Sequence, residues 1–194
     1  MEQKKRDPAR RDRILAAATA LLASNGFHSV SMAEIGEQSG ITGSAIYRHF
    51  EGKSAILVAL FERVIDDLLE AGRCIVETAP DLHASLTDLI DGQVEFVVAA
   101  RSLAQVYHNE INNLPPEDQV RLRRKQRLYI EEWVHLLSEL RPDLDEQTAR
   151  MLTHVAIGAI QSVLFHQVTM TEQEVRLILR RGAMAILSID GQEA

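Results

Sequence analysis

Cysteine is almost missing from this chain. Cys74 is the only one in 194 residues, which excludes an intramolecular disulfide and suits a reducing compartment. No uninterrupted apolar run approaches the about 18 residues that a membrane-spanning helix needs. The first thirty residues carry charge where a secretory leader would carry an apolar core. A soluble, cytoplasmic protein with no signal peptide is therefore expected. Proline and glycine are sparse, at five and ten, and no segment alternates apolar and polar residues for long, so a β architecture is excluded. Cys74 lies in a long helical pattern and reads as packed rather than nucleophilic.

Basic charge is also short overall, yet it is not evenly short. The net charge is -7, but residues 1–53 hold eight of the 21 Lys/Arg and six of the 28 Asp/Glu, a balance of +2 that leaves -9 for the remainder. A cationic head on an anionic body points to a polyanion as partner of the head alone. At this length the chain can bury a sizeable core in one or two domains.

What is present is helical periodicity. Asp7-Pro8 is an N-cap followed by the residue best tolerated at the first helical position, and Ile14, Ala18, Leu21 and Leu22 form a stripe that stops at Asn25-Gly26. Ser31 and Glu34 form a capping box for a short second helix, with Val30 placed to staple onto Ile35, and Gly40 supplies its left-handed stop. Ile41-Thr42 repeats the start signal, with Thr42 as N-cap of a third short helix over Gly43 to Phe50. Longer patterns follow over Ser54 to Ala79, Leu82 to Ala100, Ser102 to Asn113, Pro116 to Leu140, Glu146 to Gln167 and Glu172 to Ile189, punctuated by Pro80, Pro115-Pro116 and Pro142. The expected fold is all-α with about nine helices: an N-terminal three-helix bundle over residues 1–53, then a helical domain over residues 54–194.

The spacing between Met32 and Phe50 is that of a helix-turn-helix. Two short helices that cross steeply need a small residue where their backbones approach, a residue free to take positive φ in the turn, and apolar residues that lock the angle. Gly36, Gly40 and the set Ile35, Ile41, Ile46 and Phe50 fill those roles. With Ile46 and Phe50 turned inward, Thr42, Gly43, Ser44, Tyr47, Arg48 and His49 face outward or sideways. Small residues at the start of such a helix permit close approach to a major groove, while Tyr, His and Lys reach phosphates and base edges. Lys53 opens the next helix, where its ammonium and the free backbone N–H groups could hold one phosphate together.

Over Arg13 to Leu57, "RILAAATALLASNGFHSVSMAEIGEQSGITGSAIYRHFEGKSAIL", the sequence resembles the TetR/AcrR family of bacterial repressors, notably in the "GF" after the first helix, the "IYRHF" and the lysine after "EG". The likeness covers about a quarter of the chain. It implies a homodimer that reads two half-sites of a double-stranded DNA operator. Thr42, Ser44 and Tyr47 would touch bases or nearby backbone, and Ser31, His49 and Lys53 would hold phosphates. Gly43 departs from the larger residue some relatives place there, which puts a base contact in doubt at that position. The family's effector site lies between the fourth helix and helices five, seven and eight. This turns attention to Phe96, Tyr107, His108, Asn112, Tyr129, Trp133, His154 and Gln161, aromatic or polar side chains in or near apolar stretches.

The last two helical segments read as a dimer interface. "HVAIGAIQSVLF" is apolar on more than one side, and Val175, Ile178, Leu179, Gly182, Ala183 and Ile186 form a stripe with small residues at its middle. A helix that is apolar nearly all round must be covered twice, and a two-fold four-helix packing does this.

Other motifs weigh less. Gly52-Lys53-Ser54 ends like a phosphate-binding loop, but the glycine such a loop needs five residues earlier is Tyr47. No His-Glu-x-x-His or Ser-His-Asp set is found, so no metal, cofactor or enzymatic activity is expected. The basic run Arg121 to Arg127 spreads around a helix and reads as a solvated or ion-paired surface, with a mouth for acyl-coenzyme A phosphates as the sharper alternative. The expected function is a ligand-responsive DNA-binding regulator, a homodimeric repressor released by a small apolar or amphipathic effector such as an acyl-CoA. The alternative is a helical interaction module that uses the helix-turn-helix for protein docking.

Overall fold

The computed structural model describes residues 8–41 and 43–189. The described chain holds eight α-helices: α1 Pro8–Asn25, α2 Met32–Gln38, α3 Lys53–Thr78, α4 Leu82–Ala99, α5 Arg101–Glu110, α6 Pro116–Leu140, α7 Glu146–Gln161 and α8 Glu172–Leu187. Short 3-10 helices lie over Gly43–Arg48, Ile111–Asn113 and Ser162–Phe165. The all-α fold is as the sequence predicts, and the third helix of that reading is the 3-10 segment Gly43–Arg48. Six residues beginning Gly-Ser form too short a run to settle into α geometry, and 3-10 turns are the usual form of such short pieces.

Local signals set most boundaries. At α2, Ser31 Oγ accepts from the Glu34 amide at 3.2 Å while the Ser31 amide donates to Glu34 Oε2 at 2.7 Å, the reciprocal capping box expected. The same device starts α8, with Thr171 and Glu174. Gly26 and Gly40 take φ of +75° and +70° at the ends of α1 and α2, a conformation that L side chains rarely adopt. The Asp7 cap expected for α1 and the Thr42 cap expected for the third helix lie outside the described residues.

The chain divides into two compact units. One takes the described chain up to Arg63 together with Gln105–Arg121. Its core holds Ile14, Ala18, Leu22, Ile35, Ile46, Ile56, Leu57, Phe61 and Val106, all buried. The other takes Val64–Ala104 and the chain from Leu122, where α7 packs on α8 and both pack on α4. Leu86, Leu89, Ile90, Trp133, Leu137, Ala156, Ile160, Ala183 and Leu187 are buried there. Arg176–Glu95 and Arg180–Asp91, each at 2.8 Å, tie α8 to α4 at the edge of that core, and Arg101 donates to the carbonyls of Val163 (2.9 Å) and His166 where the α7 segment ends.

Cys74 is exposed, against the packed position expected of it. The buried side of α3 at this level is carried by Gly72, which faces Leu89 and Tyr129, and Cys74 lies two residues round the helix from it.

Candidate nucleic-acid interface

The turn that aims the recognition segment is held by one close approach. The Ile41 amide donates to the Gly36 carbonyl at 2.8 Å, and a Cβ on Gly36 would lie 2.7 Å from the Ile41 carbonyl oxygen. Only glycine fits that crossing. Beyond it, Ile46 is fully buried and Phe50 nearly so, which consumes the inner side of the segment. Arg11 from α1 lies over the Phe50 ring, 4.4 Å from its centroid.

The outer side carries the predicted contact residues. Tyr47 is 57% exposed, Ser44 and Arg48 are exposed, and His49 is half-buried. Tyr47, Arg48, His49 and Lys53 line a single open groove of about 740 Å³, together with Arg11 and, toward its rim, Glu62 and Asp118. Gly43 begins the segment; Thr42, expected to touch bases, lies outside the described residues.

Two of the residues expected to hold phosphates have partners within the protein. Ser31 is exposed, but its hydroxyl donates to Glu34 Oε2 at 2.6 Å, and that bond is the main reason the Glu34 carboxyl is held below the usual carboxylate range. Lys53 Nζ donates to the Phe27 carbonyl at 2.6 Å and lies 4.6 Å from the centroid of the Phe27 ring. An ammonium has three donors, so the Phe27 carbonyl engages one of them and orients the charge. Phe27, Arg11 and Glu110 were not singled out by sequence reasoning. Phe27 stands in the "GF" that carries the family likeness, whereas nothing local marks Glu110, which reaches Phe27 across 83 residues of chain.

The residues expected to bind an effector are divided between the two units. Tyr107, His108 and Asn112 belong to the unit of the helix-turn-helix; Phe96, Tyr129, Trp133, His154 and Gln161 belong to the other. Tyr107 packs edge-on against Phe61 with ring centroids 4.8 Å apart, and its buried hydroxyl has no hydrogen-bond partner. Burial pushes the Tyr107 phenol up to about 12. Tyr129 and Trp133 are buried edge to face, 6.2 Å apart, and burial likewise raises Tyr129 to about 12. His108, Asn112 and His154 are exposed, and Phe96 and Gln161 are half-buried. In the second unit an open groove of about 810 Å³ runs between α3 and α6, lined by Asp66, Leu69, Arg73, Val76, Leu128 and Glu132 among others; none of the expected effector residues lines it.

The basic run on α6 is drawn into ion pairs. Arg121 meets Glu62 on α3 at 2.8 Å and Asp118 at 2.7 Å, and Lys125 meets Asp66 at 2.6 Å. Two of the pairs cross between helices rather than running along one. No group of three or more His, Cys, Asp or Glu that could hold a metal ion occurs among the described residues, and no described helix is long and apolar enough to cross a membrane.

A short three-helix head that turns one polar, cationic segment outward from a buried core has the form of a helix-turn-helix. Over residues 14–60 the chain matches the profile of "Bacterial regulatory proteins, tetR family". It is similar to the HTH-type transcriptional repressor KstR2 of Mycolicibacterium smegmatis, 27% identical over 146 residues that span 71% of this chain and 70% of that one. A TetR-family regulator from Bordetella parapertussis shares the fold with a TM-score of 0.83 at 23% identity, covering 94% of this chain and 95% of the other. The structure of AibR in complex with isovaleryl coenzyme A and operator DNA matches with a TM-score of 0.76 at 16% identity, over 88% of this chain and 96% of that one.

Proposed function

We propose that the chain is a homodimeric repressor that holds operator DNA and releases it when a small apolar or amphipathic effector binds, with an acyl-CoA as one fitting class. Residues 1–53 are assigned to DNA, and residues 54–194 to effector binding and dimerisation. The observation that carries the reading is the exposure of Tyr47 at 57%, beside Ile46 and Phe50 that are spent on the core. A large aromatic held in solvent by a rigid segment among cations suits contact with bases and phosphates. Ser44 and Tyr47 would read bases; Ser31, His49 and Lys53 would hold phosphates, with Arg48 and Gly43 beside them.

Dimerisation is supported by the outer sides of α7 and α8, which expose Met151 (62%), Val155 (47%) and Ile178 (54%) at helical spacing with Gly158 and Gly182. Burying such a patch is favourable by roughly 25 cal/mol per Å². The acyl-CoA class is supported by the AibR complex at the level of shared fold, and by the aromatic Tyr129 and Trp133 in the C-terminal unit. The coupling runs through α3, one continuous helix from Lys53 to Thr78 that contributes residues to both units. An effector acts by favouring a dimer shape whose recognition segments no longer match the half-site spacing.

Selection of bound duplexes from a random pool, followed by titration with salt, tests the reading. Phosphate contacts make log affinity fall with log salt by about 0.9 for each one. Lys53→Ala should weaken binding to all selected sequences alike, and Tyr47→Ala should also change which sequences are selected. Affinity indifferent to salt would return the helix-turn-helix to a protein-docking role.

A further inference from the structure

We infer that Glu110, which lies outside the helix-turn-helix in sequence, is a positioning residue for DNA binding: it fixes the α1–α2 turn at Phe27 and thereby sets where the Lys53 ammonium stands. The inference rests on the DNA-binding reading above.

Glu110 ends α5 and is only 8% exposed. A buried carboxylate is retained only where donors satisfy it, and here the donors are specific. The Phe27 amide donates to Oε1 at 3.1 Å, and Asn113 Nδ2, from the short 3-10 turn that follows α5, donates to Oε2 at 2.5 Å. Gly26, in the left-handed conformation, brings the turn to this carboxylate: a Cβ built on it would lie 3.8 Å from Oε1. On its other side Phe27 meets Lys53, through its carbonyl at 2.6 Å and through its ring.

Phe27 is therefore pinned at both flanking peptide planes, one by Glu110 and the next by Lys53. The consequence concerns the lysine. A lysine carries four rotatable carbons and by itself places its charge loosely; on a fixed carbonyl and over a fixed ring, its ammonium is held at the groove that Tyr47, Arg48 and His49 line. Without the carboxylate the turn loses its anchor to the Gln105–Arg121 segment, and Lys53 loses its fixed support. All of these residues belong to one compact unit, so the relation is independent of how the effector acts.

The test is a double-mutant cycle on the full-length protein with Glu110→Gln, Lys53→Met and the pair combined. The probe is a mixed-sequence duplex of about 30 base pairs, since phosphate contacts do not depend on sequence. Glutamine keeps the shape and an acceptor for Phe27, but turns an amide NH₂ toward one of the two donors that the carboxylate satisfies. Lys53→Met should lower the log–log salt slope by about 0.9, the loss of one phosphate contact. Glu110→Gln should lower it by a like amount at an unchanged circular dichroism spectrum, and the combined variant should lose no more than Lys53→Met alone. A merely structural effect would instead add to that of Lys53→Met, or leave the slope intact while lowering stability. Asn113→Ala removes one donor from the same carboxylate and should move the slope in the same direction by a smaller step. The inference is overturned if either folded variant keeps the wild-type slope, or if the two single losses add. Wild-type protein with no salt-dependent binding to the duplex would overturn the DNA-binding reading itself, a result distinguishable from these.

Discussion

Replacing Gly36 by alanine should destabilise the reading head although alanine is much the better helix former. In an open helical position the exchange is favourable by about 1 kcal/mol. At Gly36 the new methyl would sit 2.7 Å from the Ile41 carbonyl oxygen, inside the distance real Cβ atoms keep, with the Ile46 Cβ at 3.9 Å. Neither neighbour is free to retreat: the Ile41 amide is bonded to the Gly36 carbonyl at 2.8 Å, and the Ile41 side chain is buried. Overpacking of this kind costs about 1–3 kcal/mol, and parting the segments also forfeits that hydrogen bond at about 1 kcal/mol. Set against the helix-propensity gain, the net loss is about 1–3 kcal/mol, or roughly 2–10 °C in Tm for a chain of this size. Amide hydrogen exchange reads the change where it occurs, since the two units need not open together. Gly92 in α4 is the control: it is exposed and a Cβ there meets nothing within 4 Å, so Gly92→Ala should be neutral or stabilising. Unchanged exchange in the Gly36→Ala head, or a loss in Gly92→Ala equal to it, would refute the steric argument.

Trp133→Ala should cost about 3–5 kcal/mol, read by denaturant unfolding, because the ring is fully buried against Tyr129. Ile178→Glu should leave the helical content unchanged, the position being 54% exposed, yet convert a dimer to a monomer in sedimentation; a dimer that survives would remove α8 from the interface. The caps of α2, α7 and α8 should weaken in acid. Hydrogen bonds from Ser31, Thr148 and Thr171 hold the Glu34, Asp145 and Glu174 carboxyls below their ordinary values. Their contribution is thus complete above the unfolded values and is lost as pH falls through the lowered ones. Exchange of the first-turn amides of these helices should accelerate over that window, and Glu34→Gln should remove the effect at α2 alone.

The chain's local chemistry determined its elements. A capping box at Ser31, proline at the first position of α6, and glycines at the ends of α1 and α2 act within a turn or two of themselves, so they are legible in sequence and appear where expected. The helix-turn-helix was legible for the same reason, since Gly36, Ile41, Ile46 and Phe50 lie within fifteen residues and their spacing encodes the crossing. The exposure of Cys74 and the tying of Arg121 and Lys125 to α3 depend on what a distant helix presents opposite them. Tyr107, grouped with the effector residues in sequence, packs edge-on against Phe61. Lys53 was legible as a cation at a helix start, but its support was not: the carboxylate that anchors its turn is 83 residues from Phe27 in the chain, and only the folded unit brings the two together. Periodicity encodes which side of a helix turns inward, whereas the identity of the neighbour waiting there is settled when the helices pack.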